Sequence, residues 1–341
     1  MVLLSPVALS AFFLLVFIQT TAILLFKLCQ FEGVYTFSPT SSIAITEFTK
    51  LCMAAGLQYR FAGGRGTTFS KFFNSLSPVI VANYAGLALL YTTNNYITFY
   101  VHLAADPGTY TLGKSVTPYL VAVLLRLSGD RLHSLQWLCI IIQCCGIAVT
   151  QYDPCGDTTT LSPSAYGLIG FSACITATCG VWNQKVVKGF ETPVHLQNMV
   201  LYSFGFLLAT TAYLAPRTDG TPRLGFFEGY SALPAALIFF QAFQGLAVTW
   251  VLKYADAIIK NFASTAVMAI LVVVSVFLFG LRTTPVTWLG VIIVLTTTYT
   301  YMTIAVRLPK AGPKVVPARA FAPGAPPEDG ASAPLVKSGN Q

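Results

Sequence analysis

A handful of polar side chains stand where the sequence is otherwise hydrocarbon. In the run KYADAIIKNFAS, Lys253, Asp256 and Lys260 sit at spacings of three and four, so a helix carries them on one face. Apolar stretches flank them on both sides, from about residue 231 to 252 and from 262 to 280. Between two membrane-length segments such a stripe is either a hinge at the membrane surface or the lining of a polar cavity. The second reading implies an anionic substrate. Glu47 and Lys50 lie three residues apart, where they either neutralise each other or serve a site. Asn94 and Asn95 are adjacent, a pair suited to stitching helices together or to reading the edge of a base. Tyr110 and Lys114 lie one turn apart, an aromatic plate beside a cation, and Asn198 and Tyr202 repeat the offset. A set that is cationic, aromatic and amide-rich, with few carboxylates, suits phosphate groups joined to a stackable ring. It does not suit proton relays or metal cations, which need aligned carboxylates.

The elements that must position these residues follow from composition. Hydrophobic residues make up 55% of the 341-residue chain, charged residues 9%, and the mean hydropathy is +0.68. Soluble domains carry roughly a quarter charged residues, so this chain cannot cover a water-facing surface, whereas a lipid-facing one needs no charge. Windows of about 20 mostly apolar residues fall at 6–27, 38–58, 76–98, 108–126, 133–151, 163–184, 194–214, 231–252, 260–280 and 284–306. The expected fold is an all-α membrane protein with ten transmembrane helices. Pro107, Gly108, Gly113, Lys114 and Pro118 interrupt the fourth span. The first span begins without a basic n-region and runs on without a small-residue cleavage site, so it is expected to stay as a helix.

Basic residues set the orientation. Arg60, Arg65, Lys71, Arg126, Arg131, Lys185, Lys188, Lys253 and Lys260 fall in even-numbered loops, and five more in the C-terminal tail. Odd loops and their edges hold only Lys27, Arg217, Arg223 and Arg282. The positive-inside rule then expects both termini and all even loops in the cytoplasm. The net charge of +8 is this bias summed and calls for no nucleic-acid partner. Residues 309–341, rich in Pro, Ala and Gly, read as a disordered cytoplasmic tail without an ER-retrieval signal. The eight cysteines lack paired CxxC spacing, and His102, His133 and His195 are scattered, so neither metal nor cofactor is expected.

Five spans precede the loop at 152–163 and five follow it. An odd number per half, with both termini on one side, gives the halves opposite orientation. Residues 1–152 and 153–308 are therefore expected to form two inverted five-helix repeats, with a substrate site near the midplane between them. The broken fourth span fits, since irregular backbone at membrane depth is tolerated beside a cavity or within protein.

Four stretches carry a family resemblance. FSPTSSIAITEFTKL (37–51) is similar to a TEhhKL element, with Glu47 and Lys50 in place. GVWNQKVVKG followed by LQNMVLYSFG resembles EKhLK and RNhQLY elements, the first carrying Lys185 and Lys188. VLKYADAIIKNFAS resembles hVKYADNIhKxF, and NNYITFYVHLAADP is similar to a further element. Together they resemble the nucleotide-sugar transporters of the drug/metabolite transporter superfamily, in the branch serving CMP-sialic acid, UDP-galactose and UDP-N-acetylglucosamine.

The resemblance implies a Golgi antiporter, with the ER membrane as the alternative, exchanging a pyrimidine nucleotide sugar for a nucleoside monophosphate. UDP-galactose leads and UDP-N-acetylglucosamine follows. Assembly is left open, with a homodimer as one candidate. Asn198, Tyr202 and Lys260 take positions the family uses for the nucleotide, and Tyr110 falls on the fourth-helix tyrosine near the base. Asn94, Asn95 and Lys114 join the expected binding set. Glu47, Lys50, Lys185, Lys188 and Asp256 are expected to gate or support, with Asp256 beside a lysine and Lys253 an anchor among lipid headgroups. The chain departs from the pattern at Gln184, Gln197 and Ala257, and at Thr117, where the family lysine is expected. Lys114 stands one turn earlier on the same face. A carrier of another phosphorylated metabolite keeps the lysines without needing the aromatic and amide set. An enzyme would need a nucleophile–base or metal constellation, and a receptor seven spans.

Overall fold

The computed structural model describes residues 6–31, 34–61, 76–104, 114, 116–130, 132–150, 163–190, 192–215, 224–279 and 284–307. These residues form ten long helices and one small hairpin. The helices are α1 (Pro6–Leu28), α2 (Pro39–Phe61), α3 (Pro78–Ala104), α4 (Thr117–Leu127), α5 (Ser134–Thr150), α6 (Pro163–Gly189), α7 (Val194–Leu214), α8 (Ala232–Tyr254), α9 (Ala257–Phe279) and α10 (Pro285–Arg307). Strands β1 (Gln30–Phe31) and β2 (Val34–Tyr35) pair antiparallel between α1 and α2, Gln30 opposite Tyr35. Five helices open on proline, at Pro6, Pro39, Pro78, Pro163 and Pro285. The first helical position suits it, because the missing N–H would be unsatisfied there and φ is already helical.

Within an apolar core the bundle buries polar side chains, and it turns large apolar ones outward. Ser41, Thr46, Glu47, Thr92, Gln143, Ser172, Asn183, Gln197 and Asn198 are buried, while Phe13, Phe17, Leu89, Phe171, Leu207, Phe239, Ile292 and Tyr299 face outward. Lipid accepts those rings and aliphatic chains, so the arrangement belongs to a multi-pass membrane protein. By length and composition alone, four described helices qualify as spans, over Leu9–Phe26, Ala232–Tyr254, Ala257–Val274 and Pro285–Ile304. Two more, α4 and α5, are apolar but shorter, at Thr117–Leu127 and Ser134–Thr150.

Packing crosses from the first five helices to the last five. Helix α2 lies on α7, α5 on α10, α1 on α8 and α9, α3 on α6 and α7, α4 on α6, and α8 on α2. Tyr84 and Trp182 fix the α3 contacts. Tyr84 Oη donates to Gln197 Oε1 at 2.5 Å, and Trp182 Nε1 donates to Asn83 Oδ1 at 2.8 Å. Gln143 ties α5 to Thr297 and Thr298 of α10.

Candidate substrate cavity

Two compartments that share lining residues open between the helices. The larger, about 280 Å³, takes its walls from α1, α2, α3, α6, α7 and α8. The smaller, about 160 Å³, is walled by α1, α3, α6, α8 and α9. Tyr91, Asn95, Gln244 and Val248 line both and so stand at their junction. Each wall is one helix face: Thr46, Glu47 and Lys50 on α2, Tyr91, Asn95 and Thr98 on α3, and Gln241, Gln244, Gly245, Val248 and Thr249 on α8. Those spacings of three, four and seven are the helical repeat.

In the larger compartment Lys50 Nζ donates to Glu47 Oε1 at 2.6 Å, the one ion pair among the described residues. The two neutralise each other, the first of the readings the sequence left open. The ammonium also lies 5.5 Å from the centroid of the Tyr202 ring, a cation–π contact from α7. Two glycines make room for the pair. A Cβ on Gly245 would come within 2.8 Å of Lys50 Cε, and one on Gly205 within 2.9 Å of Glu47 Oε2. Asn198, one turn before Tyr202, is fully buried outside the cavity wall, with both amide atoms unpaired by any described residue.

The smaller compartment holds Lys260, which has no hydrogen-bond or ion-pair partner among the described residues. Lys114 stands at the wall behind it. Its Nζ donates to Thr176 Oγ1 at 2.8 Å, and Thr176 lines the compartment beside Asn94 and Asn95. The two ammonium groups lie within electrostatic reach of each other and of Cys179. The asparagine pair splits its work. Asn94 Oδ1 accepts from Ser172 Oγ at 2.8 Å and Thr176 Oγ1 at 3.2 Å, stitching α3 to α6, while Asn95 faces the junction. Tyr110 lies outside the described residues.

The remaining cations gather where α4, α6 and α8 end. Lys185 Nζ donates to the Ser128 carbonyl at 3.3 Å, Lys188 Nζ to the Ala255 carbonyl, and Lys253 Nζ to the Val187 carbonyl at 2.9 Å. Gln184 Oε1 accepts from the Ala257 N–H at 2.6 Å. The expectation that Lys253 reaches into headgroups is therefore corrected. The last carbonyls of a helix have no intrahelical partner, and a lysine one helix away supplies one. Asp256 is corrected likewise. Its Oδ1 accepts from the Ile259 N–H at 2.7 Å, capping the start of α9 instead of sitting on a lysine.

Sequence reasoning missed Gln19, Tyr91, Asn183, Gln241 and Gln244. For α8 a signal existed, since Gln241 and Gln244 share the Gly245–Thr249 face within an apolar helix. Asn183 Nδ2 donates to Tyr91 Oη at 3.2 Å. Altogether the cavity offers a free ammonium, amides, hydroxyls and rings.

The "Nucleotide-sugar transporter" family model matches residues 5–302. A protein named CMP-sialic acid transporter 2 from Oryza sativa subsp. indica is 29% identical over 271 residues, covering 78% of this chain and 76% of its own. CMP-sialic acid transporter 3 from the same source is 30% identical, over 75% of this chain and 67% of its own. CMP-sialic acid transporter 1 from Arabidopsis thaliana is 26% identical, over 84% and 87%. A protein of known crystal structure shares the fold at a TM-score of 0.61 and 16% identity, over 88% of this chain and 98% of its own. The chain belongs to the nucleotide-sugar transporter family and is a transporter rather than an enzyme.

Proposed function

We propose that this protein exchanges a pyrimidine nucleotide sugar for a nucleoside monophosphate across the Golgi membrane, both termini facing the cytoplasm. The observation that carries the reading is Lys260, a cation inside a polar cavity with no described protein partner. A lysine at membrane depth costs about 2.5–3.5 kcal/mol on insertion scales, and a phosphate is the counter-charge that offsets it. Lys114 adds a second cation, the tyrosines stacking surface and the amides hydrogen bonds. A carrier of some other phosphorylated metabolite would leave that aromatic and amide set without a task.

Transport proceeds by alternating access, residues 1–152 rocking against 153–308 as inverted repeats. Support comes from the packing, whose partners interchange when each helix is replaced by the one five places along. The α1–α8 contact becomes α6–α3, α2–α8 becomes α7–α3, and α1–α9 becomes α6–α4. Closing the cavity empty would bury Lys114 and Lys260 facing each other, which favours strict exchange.

UDP-galactose is the cargo favoured by the sequence resemblance, with UDP-N-acetylglucosamine next. The names of the plant relatives add CMP-sialic acid. A melting-shift panel of UMP, CMP, GMP, AMP and their sugar conjugates on the purified protein tests the reading. Pyrimidine nucleotides are expected to raise the melting temperature and purines not. A panel in which simple sugar phosphates stabilise and nucleotides do not would refute it.

A further inference from the structure

The junction between the compartments is polar for a reason that neither the ion pair nor Lys260 supplies. Ligand sites normally run from about 300 to 1,000 Å³. Neither compartment, at about 280 and 160 Å³, reaches that size alone. Cargo made of a nucleoside, phosphates and a sugar is best accommodated by both together, passing the junction. Lys260 belongs only to the smaller compartment and Lys50 only to the larger. A phosphate on Lys260 then sets its neighbouring ring at the junction. In a nucleotide sugar that ring carries hydroxyls whichever way the cargo points, being the ribose on one side and the first sugar ring on the other.

Two amides wait there, Asn95 from α3 and Gln244 from α8. Neither side chain is fully buried, and neither makes a hydrogen bond to another described residue. A carboxamide offers a donor and an acceptor on adjacent atoms, which matches a hydroxyl that must both give and receive. Amides at membrane depth with no partner among the described residues are costly, and so they point to a ligand.

We propose that Gln244 is a specificity-determining residue, which reads the hydroxyl on carbon 2 of the ring held at the junction, whether ribose or sugar. The proposal rests on the nucleotide-sugar carrier reading. Sites built to hydrogen-bond a substrate hydroxyl reject the analogue that lacks it, because their own polar groups are then left unpaired. Methionine at 244 keeps length and volume and removes the amide, so selectivity falls while the cavity shape stays.

The test uses full-length protein in liposomes loaded with the nucleoside monophosphate that competes best. In one arm UMP and CMP are compared with their 2′-deoxy forms as competitors, which reports a ribose at the junction. In the other UDP-galactose is compared with UDP-N-acetylgalactosamine, which differ only at carbon 2 of the sugar. Wild type is expected to discriminate by about tenfold in one arm, and Gln244→Met to bring that ratio close to one. Gln244→Asn, retaining the amide, is expected to keep the preference at lower affinity. Ligand-dependent melting shifts read the same ratios should a variant reconstitute poorly. A wild type indifferent in both arms overturns the proposal, as does a Gln244→Met that weakens every ligand by the same factor. A wild type competed for by no nucleotide would instead overturn the carrier reading, and this assignment with it.

Discussion

Lys253 and Lys188 each donate to a backbone carbonyl at the end of the other's helix, Lys253 to Val187 at 2.9 Å and Lys188 to Ala255. The crossing joins α6 to α8 directly beside Ala257, where Gln184 holds the first turn of α9. Lys260 lies three residues into that helix, so the clamp and the cavity share one short lever. In the proposed rocking cycle this contact breaks when this end opens.

Removing the clamp is expected to loosen that end. Lys188→Ala combined with Lys253→Ala takes away two charge-assisted hydrogen bonds, each worth about 1.5–3 kcal/mol. Cys179, buried on the wall of the smaller compartment, should then react several-fold faster with a small thiol reagent, read by mass spectrometry of its peptide. An unchanged rate would mean the crossing holds nothing shut.

The Glu47–Lys50 pair should behave as a coupled unit. Glu47→Gln leaves the ammonium against Tyr202 with its charge uncompensated and is expected to cost about 1–3 kcal/mol. Glu47→Gln together with Lys50→Met removes both charges and should restore much of that stability, giving a non-additive double-mutant cycle in melting experiments. Strict additivity would show that the two side chains do not need each other.

Gly245 marks the closest approach to that pair. A Cβ there meets Lys50 at 2.8 Å, so Gly245→Val should displace the lysine from Glu47 and crowd the larger compartment. Nucleotide-sugar uptake is expected to fall by an order of magnitude or more. Wild-type uptake by Gly245→Val would move the cargo elsewhere.

Tyr84→Phe tests the frame without touching the cavity. Gln197 Oε1 loses its 2.5 Å partner while its Nε2 still donates to the Thr192 carbonyl at 2.7 Å. A buried acceptor left unpaired costs about 1–3 kcal/mol. The melting temperature should drop, with the order of preference among nucleotides unchanged.

Helix positions were legible because hydrocarbon length and initiating prolines are local signals. The window 163–184 opens where α6 opens, at Pro163, and the window 194–214 coincides with α7. The cavity was legible where charge or resemblance drew attention, as at Lys260, Tyr202 and Glu47. Asn183 escaped because an amide in an apolar helix gives no sign of which neighbour it faces, and the shared face of Gln241 and Gln244 did not say which helices it meets. That depends on α3, α6 and α8 meeting, which no single helix encodes. Lys253 was misplaced for a related reason. Its position in the chain suggested the membrane edge, whereas the carbonyl that binds it comes from α6, dozens of residues earlier.

Lys260 is the residue proposed to receive the phosphate of an exchanged nucleotide. Counterflow into liposomes loaded with UMP or CMP measures this directly, with wild type and Lys260→Ala compared at equal protein density. Wild type should take up labelled pyrimidine nucleotide sugar only when the liposomes are loaded, and Lys260→Ala should lose about tenfold or more of that uptake. Uptake by Lys260→Ala equal to wild type would rule out that role for Lys260.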